Sequence, residues 1–307
     1  MKKKEIQSTL GWGVHSEGGA EIWDTNPLFP HATIKFTELL KLVFYPKKCV
    51  LYWFIYRAFK KKNRGVSKRV RLQEPFRILD VGCGTGATIV DLKKLFGRGV
   101  EVHGLDVVRL QLDIAKKKIK QYGVWPQVKW YDGVNMPYQK EYFDVVYASD
   151  VLGHVEDVSS WLAEIHRVLI PGGLSLMFSE SKLGKHAFIR RYLFNRDCNI
   201  DPHKEFHISL YSKKKLKQLF SHAGFTITHM YSIFWAKFFA HPDEFQDAFS
   251  KEKRFFVLRI VSKVLLFIKK KLHPFSTAVV ELYGLIEMLT IGRWIESQGY
   301  IIRAKKE

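Results

Sequence analysis

From Phe76 onward, short β-branched or aliphatic runs alternate with stretches whose apolar residues recur every three or four positions. The runs predict strands at Arg77–Val81, Val100–Asp106, Val128–Asp132, Phe143–Ser149 and Leu174–Ser179, the last entered through a turn at Pro171-Gly172-Gly173. The stretches between them predict helices over Thr85–Phe96, Leu110–Tyr122 and Ser159–Leu169. This rhythm is that of a doubly wound α/β domain, a parallel sheet with helices on both faces. Ser212 can cap a further helix through Leu216, Leu219 and Phe220, which Gly224 ends. Phe225–Tyr231 and Gly299–Ala304 supply a sixth and a seventh strand.

The flanks follow other patterns. Residues 1–30 are rich in Gly and aromatic residues and read as irregular; residues 32–45 read as helical, with Pro46 as a breaker. Cys49–Phe59 is an almost wholly apolar aromatic stretch, and Lys60–Arg71 a basic connector. Two helical patterns near 251–272 and 276–291 are separated by Pro274. In the first, Arg259 and Lys263 share a narrow polar stripe while most of the circumference is apolar, with Phe255, Leu258 and Leu265 among the apolar residues. The expected organisation is a basic extension at 1–75, a core at 76–231, a helical insertion at 232–296 and a final core strand at 297–307.

Charge sharpens this division. The chain holds 50 Lys and Arg against 30 acids, a net charge of +20. Residues 1–77 carry 16 bases and 6 acids, and 251–273 carry 8 and 1, whereas 78–180 carry 11 and 13. Basic residues flanking the apolar stretches at 51–59 and 251–271 suit side chains that snorkel from an anionic membrane surface. A helix that merely covers a pocket, with a solvated Lys rim, has the same pattern. No run of apolar residues is long enough for an ordinary transmembrane helix, and none follows Lys2–Lys4 as a secretory signal requires. Three scattered cysteines suggest neither a disulfide framework nor a zinc site, so a reducing cytoplasm is expected.

The candidate chemistry begins at Ile78-Leu79-Asp80-Val81-Gly82-Cys83-Gly84-Thr85-Gly86, an apolar strand running into a turn that only bare backbone can make. Asp106 closes the second strand, where an acid can accept from ribose hydroxyls, and Asp132 closes the third, where an adenine amino group could be met. The spacing Gly82-x-Gly84-x-Gly86 departs from the G-x-G-x-x-G of nicotinamide-binding turns.

The nonamer resembles motif I of the class I methyltransferases. The resemblance continues through Val102–Asp106, Asp132–Tyr138, Phe143–Val146, Ser149–Asp157 and Leu169–Gly173. It is most similar to the subgroup acting on small molecules and lipids, including the quinone-biosynthesis methyltransferases. The resemblance implies a Rossmann-like, doubly wound, mostly parallel sheet of seven strands with the last antiparallel, plus helical additions. It also implies S-adenosylmethionine as cofactor. Asp80, Gly82, Cys83, Gly84, Thr85 and Gly86 would surround its methionine part, Asp106 would hold its ribose, and Asp132 and Gly133 would lie beside its adenine; Ser149 and Asp150 would close the pocket, and Val107 would also bind the cofactor.

Methyl transfer to oxygen, or to a carbon activated by a ring hydroxyl, needs a proton acceptor. His154, after the fourth strand, and His203 and His207, before the sixth, are the candidates; His154 also suits a structural role. His203-x-Glu205-x-His207 is not the H-E-x-x-H zinc pattern, and no metal is expected. His186, Arg190 and Arg191 could receive an anionic head group or be a solvated charge cluster. Nucleic acid is disfavoured as a partner, because Ser149–Leu152 lacks the Asn/Asp-Pro-Pro-Tyr motif of amino methyltransferases and no RNA-binding module is recognisable.

The expected function is methyl transfer to a hydrophobic or lipid-linked acceptor by a cytoplasmic enzyme, peripheral on the inner face of the membrane. A soluble small-molecule or sugar O-methyltransferase is the alternative, ahead of an RNA methyltransferase or a non-catalytic binding protein. Oligomeric state is left open.

Overall fold

The computed structural model describes residues 25–31, 33–65, 74–201, 206–232 and 236–307. The strands are β1 (Phe76–Val81), β2 (Val100–Asp106), β3 (Gln127–Trp130), β4 (Phe143–Ser149), β5 (Leu169–Glu180), β6 (Phe225–Ser232) and β7 (Gly299–Lys306). They form one sheet in the order β3-β2-β1-β4-β5-β7-β6. The first five strands pair in parallel, and β7 runs antiparallel between β5 and β6.

The helices in chain order are α1 (Phe36–Leu40), α2 (Pro46–Lys62), α3 (Ala87–Phe96), α4 (Arg109–Gln121), α5 (Val158–Val168), α6 (Phe188–Phe194), α7 (Lys213–His222), α8 (Lys237–Ala240), α9 (Asp243–Lys251), α10 (Phe256–Lys271) and α11 (Phe275–Thr290). Side chains alternate across each strand, so every strand feeds both faces of the sheet. Ile78, Val102, Val145 and Leu176 pack on one face beneath α2, α3 and α4. Leu79, Leu105, Val146 and Ile302 pack on the other beneath α5 and α7. Asp157 caps α5 by accepting from the Ser159 and Ser160 amides, and Ser212 caps α7 by accepting from Lys215. A third, smaller core joins Leu193 on α6 and Ile200 to Phe238, Phe245 and Phe249 of the insertion.

Several local expectations are corrected. β3 ends at Trp130, because Asp132 turns its carboxylate onto the amides of Val134 and Asn135 and leaves the ladder. β5 begins at Leu169 and carries Pro171-Gly172-Gly173 within it, over an irregular register against β4. The helical turns before Pro46 end at Phe44 as expected, and Pro46 then begins a second helix, since its missing N–H costs nothing in the first turn. Most of the apolar stretch 51–59 is core: Leu51, Tyr52, Phe54 and Ile55 are buried against the sheet, and Trp53 and Tyr56 are its exposed large apolar side chains.

The orientation of α10 is the largest surprise. Ser262 is 0% exposed, accepts from Gln246 Nε2 at 2.7 Å and donates to the Pro242 carbonyl; Lys269 turns onto Asp243. Phe255, Leu258 and Leu265 face the third core. The solvent side instead carries Phe256, Val257, Ile260, Val264, Phe267 and Ile268, with Val257 at 70% and Phe267 at 64% exposure. On α11, Glu287 is buried while Val279, Ile286 and Leu289 are exposed. Among the described residues, no helix is long and apolar enough to cross a membrane.

Candidate functional site

The carboxyl ends of β1, β2 and β4 open into one crevice, as parallel sheets arrange where the strand order reverses. The turn after β1 holds Gly82, Gly84 and Gly86 at φ of 71°, 52° and 81°, a region that L side chains rarely adopt. A Cβ on Gly82 would overlap Val151, and one on Gly86 would come within 3.0 Å of Ala115. Gly104 in β2 is tight for the same reason: a Cβ there would lie 2.8 Å from Cys83 Sγ, so Cys83 fills space between strand and turn.

Asp106 anchors this turn. Its Oδ2 accepts from the Gly84 amide at 2.8 Å and its Oδ1 from the Val108 amide at 2.8 Å. Burial pushes its carboxyl up to about 6, against those backbone hydrogen bonds. Asp80 is raised further by burial and by the Asp106 charge, and its Oδ2 is buried without a hydrogen-bond partner. An orphaned carboxylate oxygen beside bare backbone amides is a receptor for a cationic, hydrogen-bond-donating group. Val107 contributes its carbonyl to Trp130 Nε1, whose ring lies beneath Arg109. Asp132 and Gly133 sit in the exposed turn beyond β3, away from the buried floor.

The N-terminal elements are tied to α3, α4 and Asp150 by polar contacts that pattern reading did not anticipate. Asp91 of α3 accepts from the Leu28 and Phe29 amides, from Lys48 Nζ at 3.1 Å and from Tyr52. Lys118 of α4 donates to the Thr25 carbonyl and to Thr85 Oγ1. Lys47 donates to Asp150 Oδ1 at 3.0 Å while lying 3.5 Å above the Phe178 ring.

A second cluster forms where β4 and β5 end. Asp150 adopts φ of 60°, unusual for a non-glycine residue, and Ser149 Oγ donates to its Oδ2. Burial alone would raise its carboxyl, but Lys47 and the hydrogen bonds from Glu180 and Ser149 hold it well below the usual range. Glu180, closing β5, is driven the other way by burial and by Asp150. His207 Nδ1 donates to Asp201 Oδ2 at 2.7 Å, and His154 Nδ1 to the Phe206 carbonyl at 2.9 Å. The two rings lie 4.8 Å apart. Arg190, on α6, is lowered by burial and faces Asp201, Glu244 and Glu180.

The structure thus brings Asp80, the glycine turn, Asp106, Ser149 and Asp150 along one crevice and joins His154 to His207 beside it. His203 lies outside the described residues. His186 is used internally, accepting from the Glu296 amide at 3.0 Å. Among the described residues, no group of His, Cys, Asp and Glu is placed to hold a metal ion. Lys47, Glu180 and Asp201 were missed. Glu180 had a readable signal, since a lone acid ending an apolar strand is what singled out Asp106 and Asp132.

Comparison with known proteins agrees with this geometry. A family model for a methyltransferase domain matches residues 79–177. A demethylmenaquinone methyltransferase from Oceanobacillus iheyensis is 30% identical over 193 residues, 58% of this chain and 81% of that protein. Another from Geobacillus kaustophilus is 32% identical over 141 residues, but the match spans 45% of this chain and only 60% of the relative. Among solved structures, a Galdieria sulphuraria chain assigned as a sarcosine dimethylglycine methyltransferase superposes with a TM-score of 0.52 at 16% identity, over 93% of this chain and 96% of that one, a likeness of fold.

Proposed function

The chain belongs to the class I S-adenosylmethionine-dependent methyltransferases, as a relative of the demethylmenaquinone methyltransferases, and from that premise we propose that it methylates a hydrophobic, quinone-type or lipid-linked acceptor at an anionic membrane surface. The residues present fit the cofactor. Asp80 Oδ2 lacks a donor that the cofactor's amino group would supply, and the turn from Gly82 through Cys83, Gly84 and Thr85 to Gly86 offers bare backbone at its three glycines. In this reading Asp106 and Val107 meet the ribose, Asp132 and Gly133 the adenine, and Ser149 and Asp150 the sulfonium end. The bound cofactor supplies an electrophilic methyl on sulfur. In-line displacement then asks the chain mainly to align the acceptor and keep water out, a task suited to the cover held by Lys47, Lys48 and Lys118.

The observation that carries the membrane reading is the outward apolar face of α10 and α11. Their polar residues Ser262 and Glu287 are spent inward while Phe256, Val257, Phe267, Val279 and Leu289 meet solvent. A helix covering a soluble pocket has the opposite sense. Lys253, Arg254, Lys263, Lys270 and Lys271 are exposed around this face and supply attraction to anionic head groups. The exposed Phe36, Leu39 and Leu40 of α1 lie in the N-terminal segment that packs on α11.

Cosedimentation with vesicles containing phosphatidylglycerol tests the reading. Binding is expected at low salt, weaker as ionic strength rises, and lost when Phe256, Ile260 and Phe267 are changed together to Ser. No binding at any salt overturns the membrane contact and favours a soluble small-molecule or sugar O-methyltransferase. Transfer of labelled methyl to reduced, prenylated naphthoquinones and to lipid extracts, with the product identified by mass, tests the acceptor class.

A further inference from the structure

Glu180 is an acid beside the candidate crevice that the cofactor turn does not use. It closes β5, next to β4 in the sheet, and its carboxyl lies against that of Asp150, which follows β4. Its Oε2 is buried and has no hydrogen-bond partner. A Cβ built on Gly153 would lie 3.8 Å from this oxygen and 3.8 Å from His207 Nε2, so both atoms approach one point from opposite elements. Two carboxyls packed together do not both ionise cheaply, and one proton shared between them is the ordinary outcome. The charges facing the pair are Lys47 from α2 and Arg190 from α6; Asp201 and Glu244 in turn face Arg190.

We propose that Glu180, with Asp150 as its partner and Lys47 as their counter-ion, takes up the proton that a weakly acidic acceptor hydroxyl loses on methylation. This rests on the methyltransferase reading and narrows its acceptor to one bearing a phenol-like or enol-like hydroxyl. Once the pair has released its shared proton to water, the acceptor O–H bond breaks and its hydrogen passes as a proton to a Glu180 carboxylate oxygen. The freed pair, on oxygen or on the conjugated ring carbon, forms the bond to methyl as the methyl–sulfur bond breaks and leaves its pair on sulfur. A cation and a carboxylate become a neutral thioether and a carboxylic acid, so charge balances within the crevice, and the proton later exchanges with water. The raised affinity of Glu180 for a proton, set by burial and Asp150, makes its ionised form a stronger base than an exposed carboxylate.

Two measurements on the full chain test this. The infrared difference spectrum of wild type minus E180Q should contain a protonated-carboxyl band at neutral pH. That band should titrate at higher pH in K47M, because the Lys47 charge favours the ionised pair; no band in the difference overturns the shared proton. In labelled-methyl transfer to a reduced, prenylated naphthoquinone, E180Q should lose about 100-fold in kcat, the low end for a general base, and lose the rise of rate with pH. Its calorimetric affinity for S-adenosylhomocysteine should match wild type, as a merely structural role would not predict. An E180Q enzyme that transfers methyl at the wild-type rate with the wild-type pH profile overturns the role. A wild type that binds S-adenosylhomocysteine but methylates no such hydroxyl overturns the acceptor class, and one that binds neither brings down the methyltransferase reading itself.

Discussion

In the crevice at the ends of β1, β2 and β4, carboxylates go inward: Asp80, Asp91 and Asp106 are buried within a near-neutral segment. In α10 and α11, aromatic and aliphatic side chains go outward, those of α10 from the most basic part of the chain after its N-terminal extension. Each region violates the ordinary rule of burial, in opposite senses. Buried charge is tolerated when backbone amides or a ligand answer it, and exposed apolar surface when another apolar phase covers it. Asp91 and Asp106 are answered within the chain, whereas Asp80 Oδ2 and the outward apolar face are not.

The sharpest way to break the crevice is to fill it. Gly82→Val adds a side chain at φ of 71° where a Cβ already overlaps Val151. Calorimetry should record no heat with S-adenosylhomocysteine, against clear binding by wild type. Gly97→Ala, also at positive φ (67°) but with nothing within 4 Å, should bind normally, which separates ligand access from backbone strain.

Inside the insertion, two phenylalanines should behave in opposite ways. Phe249 is 0% exposed in the third core, and Phe249→Ala should cost about 3–5 kcal/mol in denaturant unfolding. Phe267→Ser, on the outward face, should change stability by no more than about 0.5 kcal/mol while weakening vesicle binding. Comparable losses at both sites would mean that α10 is an ordinary core helix.

How much of this was legible in the sequence follows from the range of the interactions. Strand and helix periodicity is local, so β2 and β4 match their expected bounds and the Ser212 cap is found where a lone Ser precedes an apolar pattern. The glycine turn and Asp106 are set by a few adjacent residues and were readable for the same reason. Lys47 was not, because its partner Asp150 lies 103 residues away and no local pattern connects them. The sense of α10 was not legible either: a helical wheel gives two faces, but which one packs depends on Gln246 and Asp243 in another helix, which offer polar partners to Ser262 and Lys269.

Asp106 sharpens the comparison through pH. Its folded pKa of about 6 lies above the ordinary carboxylate value, so between the two the native state holds the extra proton. The resulting stability is fully present below about pH 4 and is lost as pH rises through about 6. A rise of about two units corresponds to about 3 kcal/mol. Asp106→Asn removes this titration, so wild type should lose about that much stability relative to the variant between pH 4 and 7, measured by urea unfolding at each pH. Parallel pH profiles for the two proteins would show that Asp106 is not buried as a carboxyl.

The smallest expected effect probes the inward side of α10. Ser262 Oγ accepts from Gln246 and donates to the Pro242 carbonyl, and its side chain is fully buried. Ser262→Ala leaves the Gln246 amide and that carbonyl short of a partner and should cost about 1–2 kcal/mol. Replacing Gln246 by Leu as well removes the stranded donor, so the double variant should lose less than the two single losses combined, with a coupling of about 1 kcal/mol. Vesicle binding should stay at the wild-type level in all three variants, because none alters the outward face. If Ser262→Ala instead weakened vesicle binding without lowering stability, the face that meets lipid would be the polar one, and the outward apolar residues would need another partner.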